Sequence, residues 1–119
     1  MDDKLSFSDA IIAVCAVNAT LKTDGVFDMA GGVYDALSKN LLGIESVARG
    51  TKVNRSGDET KIDISIIARY GSNIPSVAWD IQENVRNEIR DMVDLDVTAV
   101  NIHIQGVDMP AEEEDYDQE

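Results

Sequence analysis

Stretches in which apolar residues recur every three or four positions alternate along the chain with stretches in which they recur every second one, and these periods predict its elements. From Ser8 to about Thr23 the sequence is compatible with a helix: Ser8 is placed as an N-cap, Asp9 complements the helix dipole and Asp24-Gly25 ends it. Within it Ala10, Ile11, Ile12, Ala13, Val14, Cys15, Ala16 and Val17 occupy the whole helical circumference. A helix apolar all round has to be covered on more than one side. Residues 26–42 hold a short extended piece, the Gly31-Gly32 pair, and a short helical pattern of Val33, Ala36, Leu37 and Leu41 that Gly43 stops.

The period then falls to two. Val47 to Asn54 is a strand, the Ser56-Gly57-Asp58 cluster a turn, and Thr60 to Tyr70 a second strand, which together predict an antiparallel hairpin. Ile62, Ile64, Ile66, Ala68 and Tyr70 fall on one face and Lys61, Asp63, Ser65 and Arg69 on the other, with Ile67 the exception. Such a strand is buried on one face and wet on the other. After Gly71, Pro75 sits where a helix begins, and Ile74, Val77, Ala78, Ile81, Val85, Ile89, Met92 and Val93 recur at helical spacing. A closing strand from about Val97 to Gln105 alternates Val100, Ile102 and Ile104 against Asn101, His103 and Gln105. Strand, helix, strand predicts a right-handed crossover between parallel neighbours. The sum is an α+β fold over residues 1–107: a two-layer domain with a small mixed sheet and helices packed on one face.

Charge changes the picture at the C-terminus. Seven of the 23 acidic residues lie in the last twelve positions, which leaves −6 of the net charge of −13 for the first 107 residues. After Met109-Pro110 only Tyr116 is substantially apolar, so residues 108–119 are expected to be a disordered acidic tail. So acidic a chain, with ten scattered basic residues, is repelled by phosphate backbones and anionic lipid head groups, which argues against direct binding of nucleic acid or membrane surfaces. The start Met1-Asp2-Asp3-Lys4 is acidic where a secretory signal needs positive charge, and the apolar run from Ala10 to Val17 is far short of the roughly 20 residues that span a bilayer. A cytoplasmic protein without direct membrane insertion is expected.

Candidate chemistry is sparse. The chain has one cysteine, Cys15, and one histidine, His103, on elements that look structural, whereas zinc needs clustered ligands; no metal or cofactor is expected. His103 lies mid-strand without a nucleophile elbow, so no catalytic set is formed. Gly31-Gly32 lacks the glycine spacing and lysine of a phosphate cradle, and the tail lacks the alternating ligands of a calcium loop. Trp79 stands out. On a helical wheel it lies more than about 90° from the Ile81, Val85, Met92 stripe, on the side of Glu83, Arg86 and Arg90. It either lies over the Arg86 stem or under a loop, or it anchors a partner, since Trp and Arg are enriched at interface hot spots.

Two segments carry a resemblance. Tyr70-Gly71-Ser72-Asn73-Ile74-Pro75, continuing through Val77-Ala78 to Ile81-Gln82-Glu83-Asn84-Val85, resembles the Tyr-Gly turn, Ile-Pro helix start and Gln-Glu-Asn-Val core of the alkaline shock family of bacterial envelope stress proteins. Val100-Asn101-Ile102-His103-Ile104-Gln105-Gly106-Val107 is similar to that family's closing strand. The likeness covers roughly residues 8–107 and is weak from Leu21 to Gly43; Trp79 stands where the family usually carries a polar or charged residue. It implies a non-enzymatic role in envelope homeostasis under stress, with self-association and a membrane-embedded partner that holds the protein near the inner face of the membrane.

The expected function is therefore a scaffold that forms a homo-oligomer and binds a membrane-embedded protein, with Ile12 and Cys15 on the first helix and Trp79, Arg86 and Arg90 on the second as the partner interface. Two other readings stand beside it. The polar sheet face with Asp63, Arg69, Asn101 and His103 could serve a small-molecule binding domain or an enzyme, and the acidic tail could occupy a basic partner.

Overall fold

Isoleucine at every second position favours an extended chain that buries one face, and the centre of this fold is such a strand. The computed structural model describes residues 7–31 and 48–110. Its elements are α1 (Phe7–Leu21), β1 (Val26–Met29), β2 (Thr51–Ser56), β3 (Glu59–Arg69), α2 (Ile74–Val93) and β4 (Ala99–Asp108). In β3, Ile62, Ile64 and Ile66 are fully buried, while Lys61, Asp63, Ser65, Ile67 and Arg69 point to the opposite face.

β3 is paired along both edges. On one side β2 runs antiparallel to it from Thr51↔Ile64 to Ser56↔Glu59, and β1 runs antiparallel from Val26↔Ala68 to Met29↔Ile66 with a bulge at Phe27. β1 and β2 thus lie end to end, and the gap between them is bridged by one residue: Ser65 N–H donates to the Gly50 carbonyl at 2.8 Å, and Ala30 N–H donates to the Ser65 carbonyl at 2.9 Å. On the other side β4 runs parallel to β3, from Lys61↔Ala99 to Arg69↔Asp108, with Gln105 as an extra residue. The parallel pairing through α2 is the one the strand, helix, strand order predicts.

The α+β two-layer architecture is as expected, with four strands where the hairpin and closing strand suggested three. β1 has only four residues, too few for a period to register. β2 begins at Thr51, after Gly50 turns the chain with φ 79° where a Cβ would sit 3.0 Å from the Ser65 carbonyl oxygen; Val47, the expected start of the first hairpin strand, lies outside the described residues. Tyr70 is 60% exposed and not on the buried face, since β3 ends at Arg69 and Gly71 (φ 86°) turns the chain away. Ile67 remains on the wet face, packed beside Gly106. The closing strand runs three residues past Gln105, to Asp108. The helical pattern from Val33 to Leu41, its stop at Gly43, and the tail beyond Pro110 lie outside the described residues.

Both helices cover the isoleucine face. α2 is capped by Asn73, whose side chain accepts from Ser76 N–H at 3.1 Å, and it ends on Asp94 in the left-handed region. It buries Val77, Ile81, Val85 and Ile89. Met92 shares their angular position yet is 65% exposed, because α2's last turn reaches the outer side of α1, where Met92 and Leu21 line a shallow groove. α1 starts at Phe7, which puts Ser8 inside the first turn and not at the cap. Its apolar circumference is covered from several sides within the chain, by α2, β1 and β2. Ala10, Ala13, Ala16 and Ala19 are buried at three-residue spacing, and buried Thr20 satisfies its hydroxyl on the Ala16 carbonyl at 2.7 Å.

Burial separates two methionine- and isoleucine-sized residues on the same helical stripe. Ile81→Ala is expected to cost about 2–5 kcal/mol, and Met92→Ala less than about 0.5 kcal/mol, both measured by urea denaturation.

Candidate functional site

Trp79, Gln82, Arg86 and Arg90 fall within about 80° of one another on α2 and form one flank of the helix. The flank runs beside β4. Arg86 Nη1 donates to the Val97 carbonyl at 2.6 Å, Gln82 Nε2 donates to the Val100 carbonyl at 3.0 Å, and Arg90 Nε donates to Asp96 Oδ1 at 3.1 Å. As the helix runs back from Arg86 to Gln82, its contacts advance from Val97 to Val100. Trp79, almost one further turn back, is therefore level with the middle of β4. Trp79 is 61% exposed, so no loop among the described residues covers it.

The five interface positions divide accordingly. Trp79, Arg86 and Arg90 are brought together on one surface, with both arginines fastened to the chain between α2 and β4. Ile12 and Cys15 are not on it: they are 3% and 7% exposed and belong to the chain's own core. Burial, and secondarily the nearby Glu88 carboxylate, pushes the Cys15 thiol up from its ordinary value. A thiol so placed is a small hydrophobe. Gln82 is the member that periodicity overlooks. Its signal is position: a polar side chain three residues from Trp79, at the border of the apolar stripe.

The wet face gathers Asp63, Asn101 and His103. His103 Nε2 lies 3.0 Å from Asp63 Oδ1, and Asn101 Nδ2 donates to the same oxygen at 3.2 Å. The hydrogen bond from His103 is the main cause that holds the Asp63 carboxyl below its ordinary value; burial opposes it, and the Asn101 bond and the charges of His103 and Lys52 add to it. Asp63 and His103, with Lys52, Ser65 and Gln105, line an open groove of about 480 Å³. Arg69 is not part of it. It pairs with Asp108 in register, about 20 Å along β3 from Asp63 at the rise of a strand, and its guanidinium lies 5.7 Å from the Phe27 ring centre. Among the described residues no group of three or more His, Cys, Asp or Glu side chains could hold a metal ion, and no helix is long and apolar enough to cross a membrane.

The residues of the two signature segments have physical tasks. Gly71 turns the chain and Asn73 caps α2; Gln82 holds β4, Asn84 Nδ2 donates to Thr23 Oγ1 at 2.9 Å, and Val85 enters the core. Because folding lowers the Asp63 pKa, its pairing stabilises the protein above the ordinary carboxylate range, and the contribution is lost as pH falls through the depressed value. In His103→Ala, the Asp63 carboxyl resonance followed by NMR titration is expected to move its midpoint upward; an unmoved midpoint would show that His103 is not the cause.

A family model for proteins of cell envelope-related function matches residues 1–109. The chain is 32% identical over 118 residues to the uncharacterized protein YqhY of Bacillus subtilis, covering 98% of this chain and 87% of that one. It is 33% identical over 106 residues to the uncharacterized protein YloU of the same organism, covering 87% and 88%. To a stress response regulator gls24 homolog of Streptococcus pyogenes it is 30% identical over 111 residues, covering 93% of this chain and 61% of the regulator's length. No solved structure matches the chain. The match of the model over nearly all the described fold, together with these relatives, shows that the chain belongs to the alkaline shock protein 23 family, whose function is related to the cell envelope.

Proposed function

We propose that this protein is a non-enzymatic scaffold of the cell-envelope stress response, which associates with itself and binds a membrane-embedded protein from the cytoplasmic side. The observation that carries the reading is the indole of Trp79, 61% exposed on a helix flank whose neighbouring side chains are already fastened to the chain. An exposed tryptophan on a rigid helix loses little conformational freedom when a partner covers it, which is why such residues anchor interfaces. Membership of an envelope-related family and the stress response named for the streptococcal relatives give the setting. The charge of −13 favours a protein partner over anionic lipid as the means of reaching the membrane.

Trp79→Ala tests the reading. Sedimentation velocity across a concentration series, and recovery of the protein with the membrane fraction of cells, are expected to show weakening of association by roughly 30-fold, the effect of losing one hot spot of about 2 kcal/mol, while the melting temperature barely changes. A wild-type chain that stays monomeric at every concentration and is absent from the membrane fraction would overturn it.

A further inference from the structure

The two outer edges of the sheet are built in opposite ways. One is divided between β1 and β2, four and six residues long, and carries Asp28, Lys52 and Arg55. Natural sheets blunt their edges by such shortness and charge, because a row of unpaired N–H and C=O groups templates a further strand. The other edge is β4, ten residues long and continuous. From Ala99 to Val107 it contains no Asp, Glu, Lys, Arg or Pro, in a chain of net charge −13. Its guards among the described residues are Gln82 on the Val100 carbonyl and the extra residue Gln105. On the same flank of α2 as Gln82, almost one turn further back, is the exposed Trp79.

We propose that β4 is the strand through which two copies of this chain join, antiparallel and about a two-fold axis near His103. The inference rests on the self-association put forward above and names the surface that carries it. A strand edge is complementary to itself when turned through a two-fold axis, so one uncharged edge supplies both halves of the joint. Charge selects the direction. Parallel pairing would set the seven acids after Val107 against the same seven of the other copy, whereas antiparallel pairing sends the two acidic runs to opposite ends. Residues opposite one another across the joint share a face, so Asn101, His103 and Gln105 of the two copies meet on the wet side without carboxylates between them. Both helix layers then lie on the other side, and the two Trp79 side chains approach the axis from there.

The full-length chain is studied by sedimentation velocity as wild type, His103→Lys and Trp79→Ser. Both positions are exposed, and lysine at 103 keeps a donor within reach of Asp63, so circular dichroism and melting are expected to stay as in wild type. Wild type should dimerise, and each variant should weaken the dimer by roughly tenfold or more. His103→Cys should form an intermolecular disulfide across the axis on mild oxidation, with buried Cys15 taking no part. A wild-type dimer that both variants leave unchanged overturns the β4 joint while self-association stands; loss in Trp79→Ser alone moves the joint to the helix layer and also overturns it. A chain that is monomeric at every concentration overturns both, and one that binds only an extended peptide along β4 overturns the second copy as its occupant.

Discussion

Burial of Ile62, Ile64 and Ile66 on the central strand is the constraint on which the other elements depend. Three fully buried branched side chains on one face of β3 require cover along its length. That cover is met by α1 and α2 together, because neither helix alone is wide enough to shield the strand and its neighbours. Among the described strands β3 alone pairs with all the others, so its register sets theirs. Displacing it by one residue would turn the isoleucines to water and Asp63 and Ser65 into the core.

The second dependence is the fastening of α2 to β4. Hydrophobic burial of Val77, Ile81, Val85 and Ile89 is non-directional and would tolerate small rotations of the helix. Hydrogen bonds from Gln82 and Arg86 to the carbonyls of Val100 and Val97 remove that freedom, and Asn84 ties the opposite flank to the end of α1. A helix held on both flanks presents Trp79 in one orientation. Rigidity of this kind makes an exposed aromatic useful for recognition, since little order has to be imposed when it is covered.

Most of the fold was legible in the sequence, and the reasons differ by element. The alternation from Thr60 to Ala68 and the three- and four-residue spacing from Val77 to Ile89 are strong because one face of each element is wholly buried. Tyr70 and Met92 obey the same periods but lie at the ends of their elements, where periodicity continues on paper after burial has stopped. The opposite error befell α1. Its all-round apolar surface correctly demanded cover on several sides, yet sequence gave no way to tell that α2 and the sheet supply it, so Ile12 and Cys15 looked available to a partner. On the wet face Asp63, Asn101 and His103 were rightly grouped, whereas Arg69 was added on parity alone; parity records a face and not a distance along it.

Ser65 holds Gly50 with its N–H and Ala30 with its carbonyl, so the chain between residues 30 and 50 begins and ends at the backbone of a single residue. One peptide unit of the central strand therefore fixes where β1 ends and where β2 begins, and both lose an anchor together if β3 is disturbed there.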